Sequence, residues 1–221
     1  REAMAIDVMH LENIAQLLVS FFVRRNLTDT PSTRDLTRLF MTIIEKVATL
    51  SGNDVVTTIR NELLSISASN ETFQRKLEGA IYEENTGVTR FLLCALAEQE
   101  MTNENRVDLW RYEGKHFVWT IEHIFPQGEN IPESWVNMIA GGNQERAKVI
   151  QLNHVHKLGN LTISGYNAAL GNRSFEEKRD RTDHAGRPIG YQNGLQLNAD
   201  LSTAATWSVE QIDARTTTLV D

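Results

Sequence analysis

Through residues 1 to about 110, apolar side chains recur every three or four positions, and that spacing restricts this stretch to amphipathic helices packed as a bundle. Five segments carry the period: "EAMAIDVMHLENIAQLLVSFFVRRN", "TPSTRDLTRLFMTIIEKVATL", "NDVVTTIRNELLSI", "NETFQRKLEGAIYEE" and "GVTRFLLCALAEQEM". Gly52, Asn70 and Gly87 punctuate them, and Pro31 with Ser32 or Thr33 supplies a helix start. The Met and Phe residues of these segments are expected in the core.

Near residue 110 the period changes. "FVWTIEHIF" alternates as a strand does, and on a strand neighbouring side chains point to opposite faces. Glu122 and His123 should therefore meet different partners before Pro126 ends the run. "GNLTIS" has strand composition, Gly165 ends it, and "YNAALGNRSFEEKRDR" reads as a turn and a helix. Ser174 followed by Glu177 fits a capping box there. Five of the six histidines fall between residues 116 and 184. Residues 142 to 190 hold eight Lys or Arg against five Asp or Glu, a positive stretch inside a chain of net charge −7, which suits a phosphate-facing surface. Three divisions follow: a helical bundle over 1–110, a chemistry-bearing core over 111–190, and a segment over 191–221 whose "TWSVEQIDARTTTLV" supplies a helix packing back on that core. The expected fold class is mainly α (α+β).

The 221 residues suffice for one large or two small domains, and no apolar run is long enough to span a membrane. The start has no signal-peptide pattern, and an initial Arg1 suggests a piece of a longer protein. The single Cys94 cannot form an internal disulfide, and a reducing, cytoplasmic setting fits it.

A strand with Glu-His, a long loop, a second strand and a helix opening near an Asn is the order of a ββα-metal finger. The residues "IEHIFPQ", "HKLGNLTISGYNAALGNRSFEEKR" and the spacing between them resemble the HNH-like nuclease domain at the C-terminus of GmrSD-type modification-dependent restriction enzymes, which are bacterial phage-defence proteins. "YNAALGN" is also similar to the metal-ligand turn of phage endonuclease VII. The resemblance implies a DNA endonuclease, cutting or nicking phosphodiester bonds. It implies His123 as general base, Glu122 as metal carboxylate and Asn167 as amide ligand, with Asn172 as the alternative ligand. Oxygen donors of this kind suit Mg²⁺ or Mn²⁺. Many HNH domains have Asp where this chain has Glu122.

Asn160 joins the catalytic set as a brace for His123 across the hairpin, with a simple turn residue as the alternative. Lys178, Arg179, Lys157 and His156 are the candidate DNA-phosphate contacts. His154 and His156 form an H-x-H that could bind zinc, yet no Cys pair or second His pair accompanies it. The expected partners are DNA and an N-terminal nucleotide-dependent sensing domain outside this chain, and a homodimer would let a single-site domain cut both strands. Two other classes stay open: an inactive DNA-binding or regulatory module, and a zinc-binding interaction domain.

Overall fold

The computed structural model describes residues 8–221. Among them the chain is mainly helical, with twelve α-helices and two small antiparallel sheets. It divides into two compact units, the second beginning at Leu77.

The first unit contains α1 (Val8–Thr28), α2 (Thr33–Val47) and α3 (Asn53–Ile66), and α4 (Asn70–Glu78) leads out of it. The opening residues of the first expected helix lie outside the described residues. Ser32 caps α2 as expected, its side chain accepting from the Asp35 N–H. The apolar stripes converge on Phe21, Leu39, Ile43, Val55, Ile59 and Leu63. Phe21, Phe22 and Phe40 pack ring to ring there. Met9 and Met41 depart from the expectation of core methionines, being 59% and 56% exposed.

In the second unit α5 (Ile81–Glu84) and α6 (Thr86–Gln99) come first. The helix expected over residues 70–84 is interrupted around Gly79, which separates α4 from α5. Cys94 is fully buried in α6, and that burial pushes its thiol up to about 11, so it stays protonated and inert. The expected long strand over 117–125 is split. β1 (Tyr112–Glu113) pairs with β2 (His116–Phe117), and β3 (Thr120–His123) pairs antiparallel with β4 (Leu161–Ser164). The break at Trp119 has a cause. Its carbonyl accepts from the Arg90 guanidinium, which also bonds the Leu109 carbonyl at 2.6 Å and lies 3.4 Å from the centre of the Phe117 ring.

The long connection between β3 and β4 is not a loop. It contains α7 (Glu133–Ala140) and α8 (Gln144–His154), with Gly141 in the left-handed conformation closing α7. α9 (Asn167–Leu170) and α10 (Phe175–Arg179) follow β4, and Ser174 and Glu177 form the expected capping box. The core of this unit gathers Phe125, Trp135, Leu170, Phe175, Trp207 and Ile212, with Phe175 stacked on Trp207 at 5.8 Å.

α11 (Ala199–Thr203) and α12 (Val209–Val220) complete the unit, Ser208 and Gln211 forming a second capping box. α12 lies against the 3-10 turn Leu158–Asn160 that feeds β4. Arg215 is buried and donates to the carbonyls of Gly159, Leu161 and Leu197 at 2.9, 2.7 and 2.9 Å, while Asp200 holds its Nε at 2.9 Å. The Gly159 N–H reaches the Thr216 hydroxyl at 3.1 Å. A Cβ on Gly159 would overlap the Ile212 carbonyl and crowd the Thr216 backbone, so only glycine allows this approach. Gly159→Ala should therefore destabilise the protein by about 1–3 kcal/mol or more, the usual cost of overpacking, which a denaturant melt reads directly. A melt identical to wild type would mean that α12 does not pack this tightly.

Candidate active site

The pleat of β3 sends Glu122 and His123 to opposite faces, as the alternation requires. Glu122 is 3% exposed and Lys178, from α10, is 0% exposed. The Lys178 ammonium donates to Glu122 Oε1 at 2.6 Å and to the carbonyls of His123 and Ile124 at 2.7 and 3.1 Å. Its three protons are thus engaged, and the side chain is sealed inside the unit. Lys178 does not reach a phosphate, contrary to expectation. It is the internal counter-charge of Glu122 and the tie between α10 and the end of β3. Burial pushes the Glu122 carboxyl up to about 7, against the pull of Lys178, and burial also lowers Lys178. The second Glu122 oxygen has no hydrogen-bond partner among the described residues, nor is it one of the sealed unpartnered atoms.

On the other face, His123 Nε2 lies 3.2 Å from His156 Nδ1. His156 Nε2 faces Glu83 Oε1 at 3.4 Å. Tyr82 packs edge-on to His123 at 4.6 Å and stacks on His156 at 5.2 Å. His123 is 6% exposed, and its pKa falls to about 3 through burial first, then the neighbouring His156 and Lys178 charges, so the ring is neutral at physiological pH. Burial likewise lowers His156, with Glu83 opposing. Nδ1 of His123 has no hydrogen-bond partner among the described residues. It is also absent from the sealed unpartnered atoms, which are His10 Nδ1, Arg181 Nε and the Tyr191 hydroxyl.

Asn160 is wholly buried. Its Oδ1 accepts from Phe125 N at 2.8 Å and Trp207 Nε1 at 3.2 Å, and its Nδ2 donates to the Phe125 and Val155 carbonyls, each at 3.0 Å. The residue thus grips the chain just beyond His123 and just before His156, and touches neither ring. Asn167 opens α9 and is part-buried. Its Nδ2 donates to Thr120 Oγ1 at 3.2 Å and to the Ile121 carbonyl at 2.6 Å, tying α9 to β3 and leaving Oδ1 without a partner among the described residues. Asn172 is exposed, with its amide against Gly128, and makes no such tie to β3.

The remaining candidates are spread out. Lys157 pairs with Asp213 at 2.7 Å and Arg179 with Asp180 at 2.6 Å. The H-x-H pair divides: His154 bonds the Ile150 carbonyl at 3.1 Å, while His156 turns to His123. No group of three or more His, Cys, Asp or Glu that could hold a metal ion occurs among the described residues, and the two histidines of the H-x-H face different partners. Tyr82 and Glu83 are neighbours of the site that the sequence reading passed over. They lie in a stretch read as continuous helix, and Gly79 just before them was their one signal.

The C-terminal domain family of GmrSD restriction endonucleases matches residues 67–221. The chain belongs to this family. No curated protein and no solved structure matches it. Membership of the GmrSD C-terminal family implies a nuclease acting on DNA in restriction, and the match covers every residue of the His123 cluster. No helix among the described residues is long and apolar enough to cross a membrane.

The Glu122–Lys178 pair gives a direct test. Removing one partner of a buried ion pair strands a charge and costs about 3–5 kcal/mol. Lys178→Met should lose that much stability in a urea melt, and Lys178→Met combined with Glu122→Leu should regain most of it. Linkage adds a pH signature. His123 is lowered from 6.5 to about 3, so its contribution is full above pH 6.5 and is lost as pH falls toward 3. Glu122 is raised from 4.5 to about 7, so its contribution is full below 4.5 and is lost as pH rises through 7. His123→Gln should flatten the acid limb alone, as stability measured across pH will show.

Proposed function

We propose that this domain is an HNH-type, metal-assisted DNA endonuclease in which His123 takes the proton from the attacking water. The observation that carries the reading is the His123 imidazole itself: neutral, held by a protein partner at one ring nitrogen, and unpartnered at the other. That is the state a general base needs before it acts. The order β3, β4, α9, with Asn167 tied to β3, supports the ββα reading. A pKa near 3 makes the ring a weak acceptor before substrate arrives, and a scissile phosphate beside it would draw that value back up.

The donor chemistry suits a hard divalent ion such as Mg²⁺ or Mn²⁺, since two uncharged or singly charged oxygens plus water and phosphate make a usual set. Glu122 would hold it through the oxygen that Lys178 leaves unpaired, and Asn167 through Oδ1. Asn167 is preferred to Asn172 because its amide nitrogen already anchors it to the strand bearing Glu122. When bound, the ion supplies charge stabilisation at the phosphate and the leaving oxygen. Asn160 is a positioning residue in this scheme, fixing the backbone on both sides of the imidazole pair. Lys157 and Arg179 remain the proposed phosphate contacts. Both cations are part-buried but their carboxylate partners are half-exposed, which leaves a side from which a phosphate can compete with Asp213 and Asp180. A lone domain with one site would nick, paired copies would cut both strands, and an N-terminal sensing domain would choose the DNA.

The assay is plasmid relaxation. Wild type should act with Mg²⁺ or Mn²⁺ and stop in EDTA; equal relaxation in EDTA would overturn the metal requirement. His123→Ala should lose about 10²–10⁴ in rate while still folding and binding DNA. Asn167→Ala should recover activity as Mn²⁺ is raised, and His123→Ala should not. The reverse pattern would exchange the two roles.

A further inference from the structure

We infer that Glu83 and His156 are positioning residues that fix the tautomer of His123, so that Nδ1 is the atom which takes the proton. This rests on the general-base reading of His123 and specifies it. Two neutral imidazoles whose nitrogens meet at 3.2 Å share one proton, so one ring donates and the other accepts. The ring contact alone leaves the direction open. Glu83 decides it. A carboxylate only accepts, and its Oε1 faces His156 Nε2 at 3.4 Å, so the His156 proton belongs on Nε2. His156 Nδ1 is then a lone pair, and His123 must present Nε2–H to it. The His123 proton is thereby placed on Nε2, and Nδ1 is left as the lone pair, at the nitrogen that has no partner among the described residues and is not sealed.

The packing holds this polarity in place. Tyr82 lies nearly parallel to His156, at 10°, and edge-on to His123, at 78°, so neither ring can turn without displacing it. The Tyr82 N–H donates to the His156 carbonyl at 3.3 Å, which fixes α5 against this histidine's backbone. The reaction step then balances. A water gives one proton to Nδ1, its oxygen bonds to phosphorus, and the bond from phosphorus to the leaving oxygen breaks. That oxygen takes a proton from solvent. The imidazolium keeps its Nε2–H on His156, whose own Nε2–H points at the Glu83 charge.

The test reverses the polarity at an exposed position. Glu83 is 65% exposed, so its replacement leaves folding intact. Glu83→Lys puts a donor where the acceptor was. It should drive the His156 proton to Nδ1 and make His123 Nε2 the acceptor, which places a hydrogen on His123 Nδ1 and blocks the base. A histidine locked in the wrong tautomer costs a triad enzyme about 10⁴-fold; a fall of about 10²-fold or more in nicking rate, at unchanged plasmid affinity, is expected for Glu83→Lys. Glu83→Ala merely removes the bias and should lose less, and His156→Ala should lose rate in the same way without losing affinity. Imidazole nitrogen NMR shifts supply the independent readout. Wild-type His123 should be the Nε2–H tautomer, and Glu83→Lys should move it to Nδ1–H. A wild-type His123 protonated on Nδ1 would overturn the inference. So would wild-type nicking by both Glu83→Lys and His156→Ala when His123→Ala is inactive. A His123→Ala variant that still nicks at the wild-type rate would overturn the general-base reading, and this inference with it.

Discussion

One buried amide holds the second unit together around its histidine pair. Asn160 offers a donor and an acceptor to Phe125, and uses what remains on the Val155 carbonyl and the Trp207 indole. Its own backbone carbonyl accepts from Ile124. Three stretches distant in sequence therefore converge on a single side chain. Left unsatisfied in the core, each of these groups would cost about 1–3 kcal/mol, so the arrangement is specified as a set. The imidazole pair inherits its geometry from this point, because the grip falls two residues after His123 and one residue before His156.

The Glu-His dipeptide makes sense in the same frame. Its two members share a strand yet belong to different environments. The Glu122 side is an internal electrostatic joint, where α10 is fastened to β3 by an ammonium with no proton to spare. The His123 side is an aromatic and imidazole stack supplied by α5 and by the chain just after α8. Putting the two at adjacent positions lets one short strand carry both an anchor and an imidazole, with the pleat keeping them apart.

Much of this was readable from residue order. The Ser32 and Ser174 caps and the break at Gly165 all rest on local chemistry that a sequence displays. What was not readable depended on contacts between distant residues. Lys178 looked like a surface cation on a basic stretch, since nothing local announces that its counter-charge lies 56 positions earlier. The split at Val118 and Trp119 comes from Arg90, a residue of a different helix that takes the Trp119 carbonyl. α7 and α8 were hidden inside an expected loop; α7 spans only eight residues, and α8 buries only Ala147 and Ile150, so neither shows a long amphipathic stripe. His156 was noticed as half of an H-x-H and as a phosphate contact, whereas its position beside His123 follows from the Asn160 grip on Val155.

The contact between α12 and the Gly159 turn makes the β3–β4 pair depend on a segment that follows it in the chain. The Trp207 indole that completes the Asn160 shell, and the Arg215 guanidinium that clasps the carbonyls on either side of it, both come well after β4. A fragment that carries both strands but stops before Trp207 lacks that clasp. Proteolysis between β4 and α12 would therefore unfasten the hairpin without touching either of its strands.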